Sequence, residues 1–136
     1  MTTKLTTLTL MTAFGLALTA AAADTAQLPP AATKTGVTYA TDIKPILDVS
    51  CVKCHSGEKP KAHLKLDTLE GVLKGSKDGK ILTAGDSANS FVVKCAAHTT
   101  SDHDSWMPPL HNKANIGPLT PEQIGLLRAW IDQGAK

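Results

Sequence analysis

Cys51-Val52-Lys53-Cys54-His55 is the stretch from which the rest of the chain is read. Two thiols three residues apart leave one helical turn on the same side, and a histidine four residues after the first shares that face. The spacing suits a flat porphyrin. Each thiol can add to a vinyl group along one edge, while the imidazole reaches the iron. Two other readings compete. A C-x-x-C redox disulfide usually opens a helix after a strand, whereas the residues before Cys51 follow helical spacing. A structural zinc site needs about four ligands, typically a second Cys or His pair at knuckle spacing. Only Cys95 and scattered histidines remain for that. The five residues therefore read as the attachment site of one covalent haem c, with Cys51 and Cys54 as tethers and His55 as an axial ligand.

Upstream, Ile43, Ile46, Leu47, Cys51 and Cys54 recur at helical spacing. They predict a helix opening at Asp42 as N-cap, with Pro45 at the third helical position, where its missing N–H costs nothing. Far downstream lies the clearest helix. Thr120 is its N-cap, Pro121 occupies the first position and Gln123 completes a capping box. Leu119 and Ile124 form a hydrophobic staple, Gly134 ends the helix, and Ile124, Leu127, Ile131 and part of Trp130 face inward. Between these two, Asp67–Lys74 reads as a brief helix stopped by Gly75. Asp86 or Ser87 caps another that carries Phe91, Val92 and Cys95, and 80–83 is extended. No alternating run is long enough for a sheet, so the class is mainly α: a few helices packed around one haem.

An iron held by His55 needs a second axial group or keeps an open site. Met107, in Trp106-Met107-Pro108-Pro109, lies 52 residues beyond His55, enough chain to reach the opposite haem face. The paired prolines restrict the backbone that follows it. The other methionines, Met1 and Met11, fall in the N-terminal apolar segment. Ordinary core filling is the competing role for Met107, and His63, His98, His103 and His111 are rival ligands. A neutral thioether favours ferrous iron and raises the reduction potential, whereas an open site points to a sensor or peroxidase.

The N-terminus opens with Lys4, continues through an apolar stretch over 8–18 and ends in Ala20–Ala23 before Asp24, an A-x-A exit. Residues 1–23 thus read as a signal peptide, and the chain as exported, for instance to a periplasm. An uncleaved anchor is the alternative, but the Thr-interrupted run is short for roughly 30 Å of hydrocarbon. Nothing later could span a bilayer. Residues 24–37 are rich in Pro, Ala and Thr without periodicity and read as a flexible linker, leaving 38–136 as the folded domain. Removing 1–23 takes away one lysine of 14 basic residues and none of the 12 acidic ones, so the mature chain is near +1. No basic block suggests nucleic acid. Aromatic content is only 4%, low for a core of this size, and a buried porphyrin would supply the missing apolar area.

Two thioethers leave Cys95 over. It reads as a small buried residue on the helix face opposite Phe91, or as a cross-link between two chains of an otherwise monomeric protein. Cys95 with His98, and His103 between Asp102 and Asp104, form a conceivable second metal site, against the plainer reading of a solvated polar loop. Lys53, Lys59, Lys61 and Lys65 cluster after the haem motif and offer a weak docking surface for an acidic partner.

Taken with Asp42-Ile43-Lys44-Pro45-Ile46-Leu47, Leu64-Lys65-Leu66-Asp67, Gly85-Asp86 with Ser90, Met107-Pro108-Pro109, Leu119–Ile124 and Trp130–Ala135, the motif makes the chain resemble the planctomycete-type cytochrome c domains. The resemblance runs over nearly all of 39–136. It implies a cytochrome c fold, Met107 as distal ligand, and redox partner proteins as donor and acceptor. Many relatives are modules of larger oxidative proteins; this chain carries the haem domain alone, so the expected role is a free single-electron carrier rather than an enzyme. The alternatives are a haem module of an oxidative complex and a haem sensor or peroxidase with an open sixth position.

Overall fold

The computed structural model describes residues 27–136, and the signal-peptide reading of 1–23 lies outside them. Among the described residues there are four α-helices and no strand. They are α1 (Lys44–Ser50), α2 (Leu69–Lys74), α3 (Phe91–Ala96) and α4 (Pro121–Asp132). Ser76–Gly79 and Thr83–Asp86 form only isolated bridges, so 80–83 joins no sheet.

The C-terminal helix follows its local signals closely. The Thr120 hydroxyl accepts from the Gln123 N–H while the Gln123 side chain accepts from the Thr120 N–H, which satisfies two donors that the first turn leaves orphaned. Trp130 and Ile131 are fully buried, with Ile124 and Leu127 nearly so. The helix ends at Gln133, and the left-handed Gly134 (φ 101°) turns the chain so that Ala135 N–H bonds back to the Trp130 carbonyl. Trp130 Nε1 donates to the Lys136 carbonyl at 2.8 Å, and the Tyr39 N–H reaches the same oxygen at 3.1 Å. The Tyr39 and Trp130 rings lie 6.0 Å apart. Both ends of the domain are thereby stitched to one aromatic pair.

The first helical element starts earlier than the Asp42 cap predicts. A single π-helical turn, Tyr39–Ile43, runs directly into α1, and its N-cap is Thr38, whose hydroxyl accepts from the Thr41 N–H. Asp42 works from inside the turn: its carboxylate accepts from the Thr38 N–H at 3.0 Å and from the Thr41 hydroxyl at 2.9 Å, and pairs with Lys34. Starting a turn earlier buries Tyr39, whose hydroxyl donates to the Leu66 carbonyl at 3.0 Å. That tertiary bond outweighs the local preference for a cap at Asp42. Helix α3 also departs from expectation: its N-cap is Ser90, with Asp86 bonded instead to Asn89 in the preceding loop.

Residues 27–37 do not behave as the loose linker expected of 24–37. Val37 is buried and Leu28 and Ala32 pack against the core. Ala32 N–H donates to the Gly125 carbonyl at 2.8 Å, Arg128 donates to the Pro29 carbonyl, and Gln133 bonds both Lys34 O and Val37 N. A Cβ at Gly125 would stand 2.8 Å from the Pro30 carbonyl, so the missing side chain in mid-helix is what lets the strap lie flat on α4. Prolines and alanines lack periodicity because the strap is extended; its order comes from α4, which composition does not reveal. No described helix is long and apolar enough to cross a membrane.

Candidate cofactor site

Helix α1 ends at Ser50, and Cys51 opens a further turn. Cys54 N–H and His55 N–H both bond to the Cys51 carbonyl at 3.1 Å, so the motif is wound as a helix-like turn although the helix proper has stopped. This places Cys51, Cys54 and His55 on one wall of a cavity of about 600 Å³. Leu47, Leu64, Leu66, Ile81, Val92 and Leu127 line the interior, and Met107 lines it from the 104–109 segment. His63, His98, His103 and His111 do not line the cavity.

His55 is almost fully buried. Burial pushes its pKa down, so the ring is neutral at ordinary pH, the form that binds metals. Its Nδ1 lies 3.2 Å from the Lys61 carbonyl. A carbonyl can only accept, so Nδ1 carries the proton and Nε2 is left with a free lone pair for a metal. The carbonyl is delivered by a tight turn, Lys61–His63, in which Ala62 and His63 both adopt left-handed backbone (φ 55°). Two non-glycine residues there cost on the order of 1–2 kcal/mol each. The turn is pinned by Lys61 N–H to the Cys54 carbonyl at 3.0 Å and Lys77 N–H to the Ala62 carbonyl at 2.9 Å. Leu66 N–H donates to the His55 carbonyl at 2.8 Å, closing the loop over the histidine. Nothing in the residue types at 61–63 announces this role. As a free thiol, Cys51 is pushed up to about 11, first by burial and then by the neighbouring Cys54, so its sulfur is neutral in the apolar wall.

The Met107 wall is irregular chain that follows a single 3-10 turn, His103–Ser105. Met107 N–H donates to the Cys95 carbonyl at the end of α3 at 3.0 Å, and Trp106 Nε1 donates to the Thr100 carbonyl at 3.1 Å. Asn112 donates to the Pro109 and Ile116 carbonyls at 2.7 Å. Cys95 is buried and lines the cavity together with Phe91, its i−4 neighbour, so the two share a helix face rather than occupying opposite ones. No group of three or more His, Cys, Asp or Glu among the described residues could hold a second metal ion. His98 and His103 instead flank the Trp106 indole, with ring centroids 4.9 and 4.1 Å away.

Protein interiors are close-packed, and 600 Å³ falls within the range of small-molecule and cofactor sites. An apolar cavity with two sulfurs and an imidazole on one side and a thioether on another matches the donor set of a covalently held haem. The helical architecture is compatible with a mainly α, cytochrome c-like domain. Residues 51–111, which include the Cys51/Cys54 pair, match the family model described as planctomycete cytochrome C, a likeness that points to a haem-based electron-transfer role. No curated protein and no solved structure gives a significant match to the chain.

Proposed function

We propose that the protein is an exported monohaem c-type cytochrome that passes single electrons between redox partner proteins. The observation that carries this reading is the meeting of Cys51, Cys54, His55 and Met107 on the walls of one apolar cavity, from positions more than fifty residues apart. Cys51 and Cys54 would hold the porphyrin edge as thioethers, with His55 supplying the proximal nitrogen and Met107 the distal sulfur. Bound there, haem supplies a one-electron Fe(III)/Fe(II) couple, whose potential a neutral thioether raises. The chain's own residues do the rest. Lys61 orients the His55 ring through its carbonyl, the leucines and Ile81 exclude water, and Met107 would hold the bound haem iron through its thioether and so keep small ligands off it. Phe91, half exposed at the cavity wall, gives the site an apolar edge towards a partner. No residue is assigned as acid, base or nucleophile. Export is supported by the A-x-A segment ending at Ala23.

Expression through the secretory route, in a host equipped for haem ligation, tests the reading. The expected product is one whose mass exceeds that of the 113-residue chain by a single haem, whose colour stays with the polypeptide after denaturation, and whose ferrous form ignores carbon monoxide. Colourless protein with freely alkylated Cys51 and Cys54 overturns the haem assignment. A haem protein that avidly binds carbon monoxide overturns the carrier and favours the sensing or peroxidatic alternative.

A further inference from the structure

The segment that carries Met107 is short of hydrogen-bond donors. Pro108 and Pro109 have no N–H, so beyond Met107 the chain can be anchored only through its carbonyls. One of them is taken by Asn112, which holds Pro109 O. The other, Pro108 O, lies 3.1 Å from the Nε2 of His98.

His98 is well placed for this. It follows α3, where its N–H bonds to the Cys95 carbonyl and its backbone turns left-handed (φ 55°). Histidine is among the non-glycine residues enriched in that region. The turn brings the imidazole alongside the indole of Trp106, with rings 4.9 Å apart and only 8° from parallel. Stacking fixes the ring plane, and the hydrogen bond fixes its rotation. Cys95 and His98 therefore grip the backbone before and after the Met107 side chain: Cys95 O takes the Met107 N–H, and His98 holds the Pro108 carbonyl.

We infer that His98 is a positioning residue for the distal ligand, acting through an Nε2–H bond to the Pro108 carbonyl rather than by binding metal itself. The inference rests on Met107 being the axial thioether. Orienting partners of this kind change metal affinity by about tenfold or more when removed.

The test uses the full holoprotein and two substitutions. His98→Phe keeps a ring beside Trp106 and removes the donor; His98→Gln restores an N–H donor. His98→Phe is expected to lose much of the ferric thioether-to-iron absorption band and to bind carbon monoxide in the ferrous state about tenfold faster or more. His98→Gln is expected to recover most of both. A His98→Phe protein with the parent's band and the parent's inertness overturns the inference, as does equal impairment of Phe and Gln. Should His98→Phe fail to fold, nitrogen chemical shifts of the imidazole in the unsubstituted ferrous protein decide the matter. An Nε2-protonated tautomer is expected, and an Nδ1-protonated one overturns it. If the unsubstituted protein itself lacks the thioether band, the ligand assignment of Met107 falls, and this inference falls with it.

Discussion

On the proximal wall, Cys51, Cys54 and His55 stand within five residues and are wound by bonds to a single carbonyl, that of Cys51. On the distal wall, Met107 lies in irregular chain just after the 3-10 turn His103–Ser105, fixed by Cys95, Thr100 and Asn112 from three other places. A ligand set built into one turn is assembled when that turn forms. A ligand carried on a proline-rich arm is assembled only when α3 and the loops after it have docked. The same difference shows in how each wall is trimmed. The proximal histidine is oriented by a backbone carbonyl from a strained turn, the distal methionine by backbone contacts on either side of it.

The comparison predicts unequal losses when each wall is broken. Replacing Cys51 and Cys54 together with alanine is expected to abolish covalent haem and with it cooperative folding, because the cavity's apolar lining would lose its partner; a haem-free protein with a sharp unfolding transition would contradict this. Met107→Ala is expected to keep the haem attached and to lower its reduction potential by a sizeable part of the roughly 0.8 V that axial ligands command. Redox titration beside the parent measures it, and an unchanged potential would remove Met107 from the iron.

Away from the ligands, the proximal side offers a smaller and purely structural effect. Tyr39→Phe deletes the hydroxyl that bonds the Leu66 carbonyl behind His55, and is expected to cost about 1 kcal/mol in denaturant unfolding. Its haem spectrum should match the parent's. A changed spectrum would mean that this wall is no more rigid than the other.

The smallest effect concerns the start of the first helical element. The Lys34 ammonium, with the Thr38 N–H and the Thr41 hydroxyl, holds the Asp42 carboxyl at about 2, below its ordinary 3.8. A depressed pKa in the folded state gives stability that is fully present above 3.8 and is lost as the pH falls towards 2. Asp42→Asn should therefore lower stability throughout the range above 3.8, flatten the acid limb within that window and converge with the parent as the pH nears 2. Denaturation midpoints measured across the window check this, and parallel curves for parent and variant would refute it.

Much of the architecture is local enough to read directly. The Thr120–Gln123 capping box, Pro121 and Gly134 mark α4 because each acts on neighbours within one turn. The Cys51–His55 spacing is legible for the same reason. Elements that answer to distant partners are not. Thr38 rather than Asp42 opens the first helical element because Tyr39 must reach Leu66 and Trp130. The strap over 27–37 carries no periodicity because its order lies in bonds to α4.

From the amino-acid order alone came the mainly helical class, the Cys51–His55 motif with its proposed haem tethers and proximal histidine, and Met107 as the leading candidate for the other face. Tertiary structure alone decided that Met107, and none of the four other histidines, shares the cavity with His55. It also decided that the Lys61 carbonyl orients the proximal ring, that Cys95 belongs to the cavity wall, and that His98 turns to the Pro108 carbonyl. The division follows from range. Spacing within a turn is dictated by backbone geometry, whereas a carbonyl has no residue-specific signature and is recruited only when folding brings a donor to it.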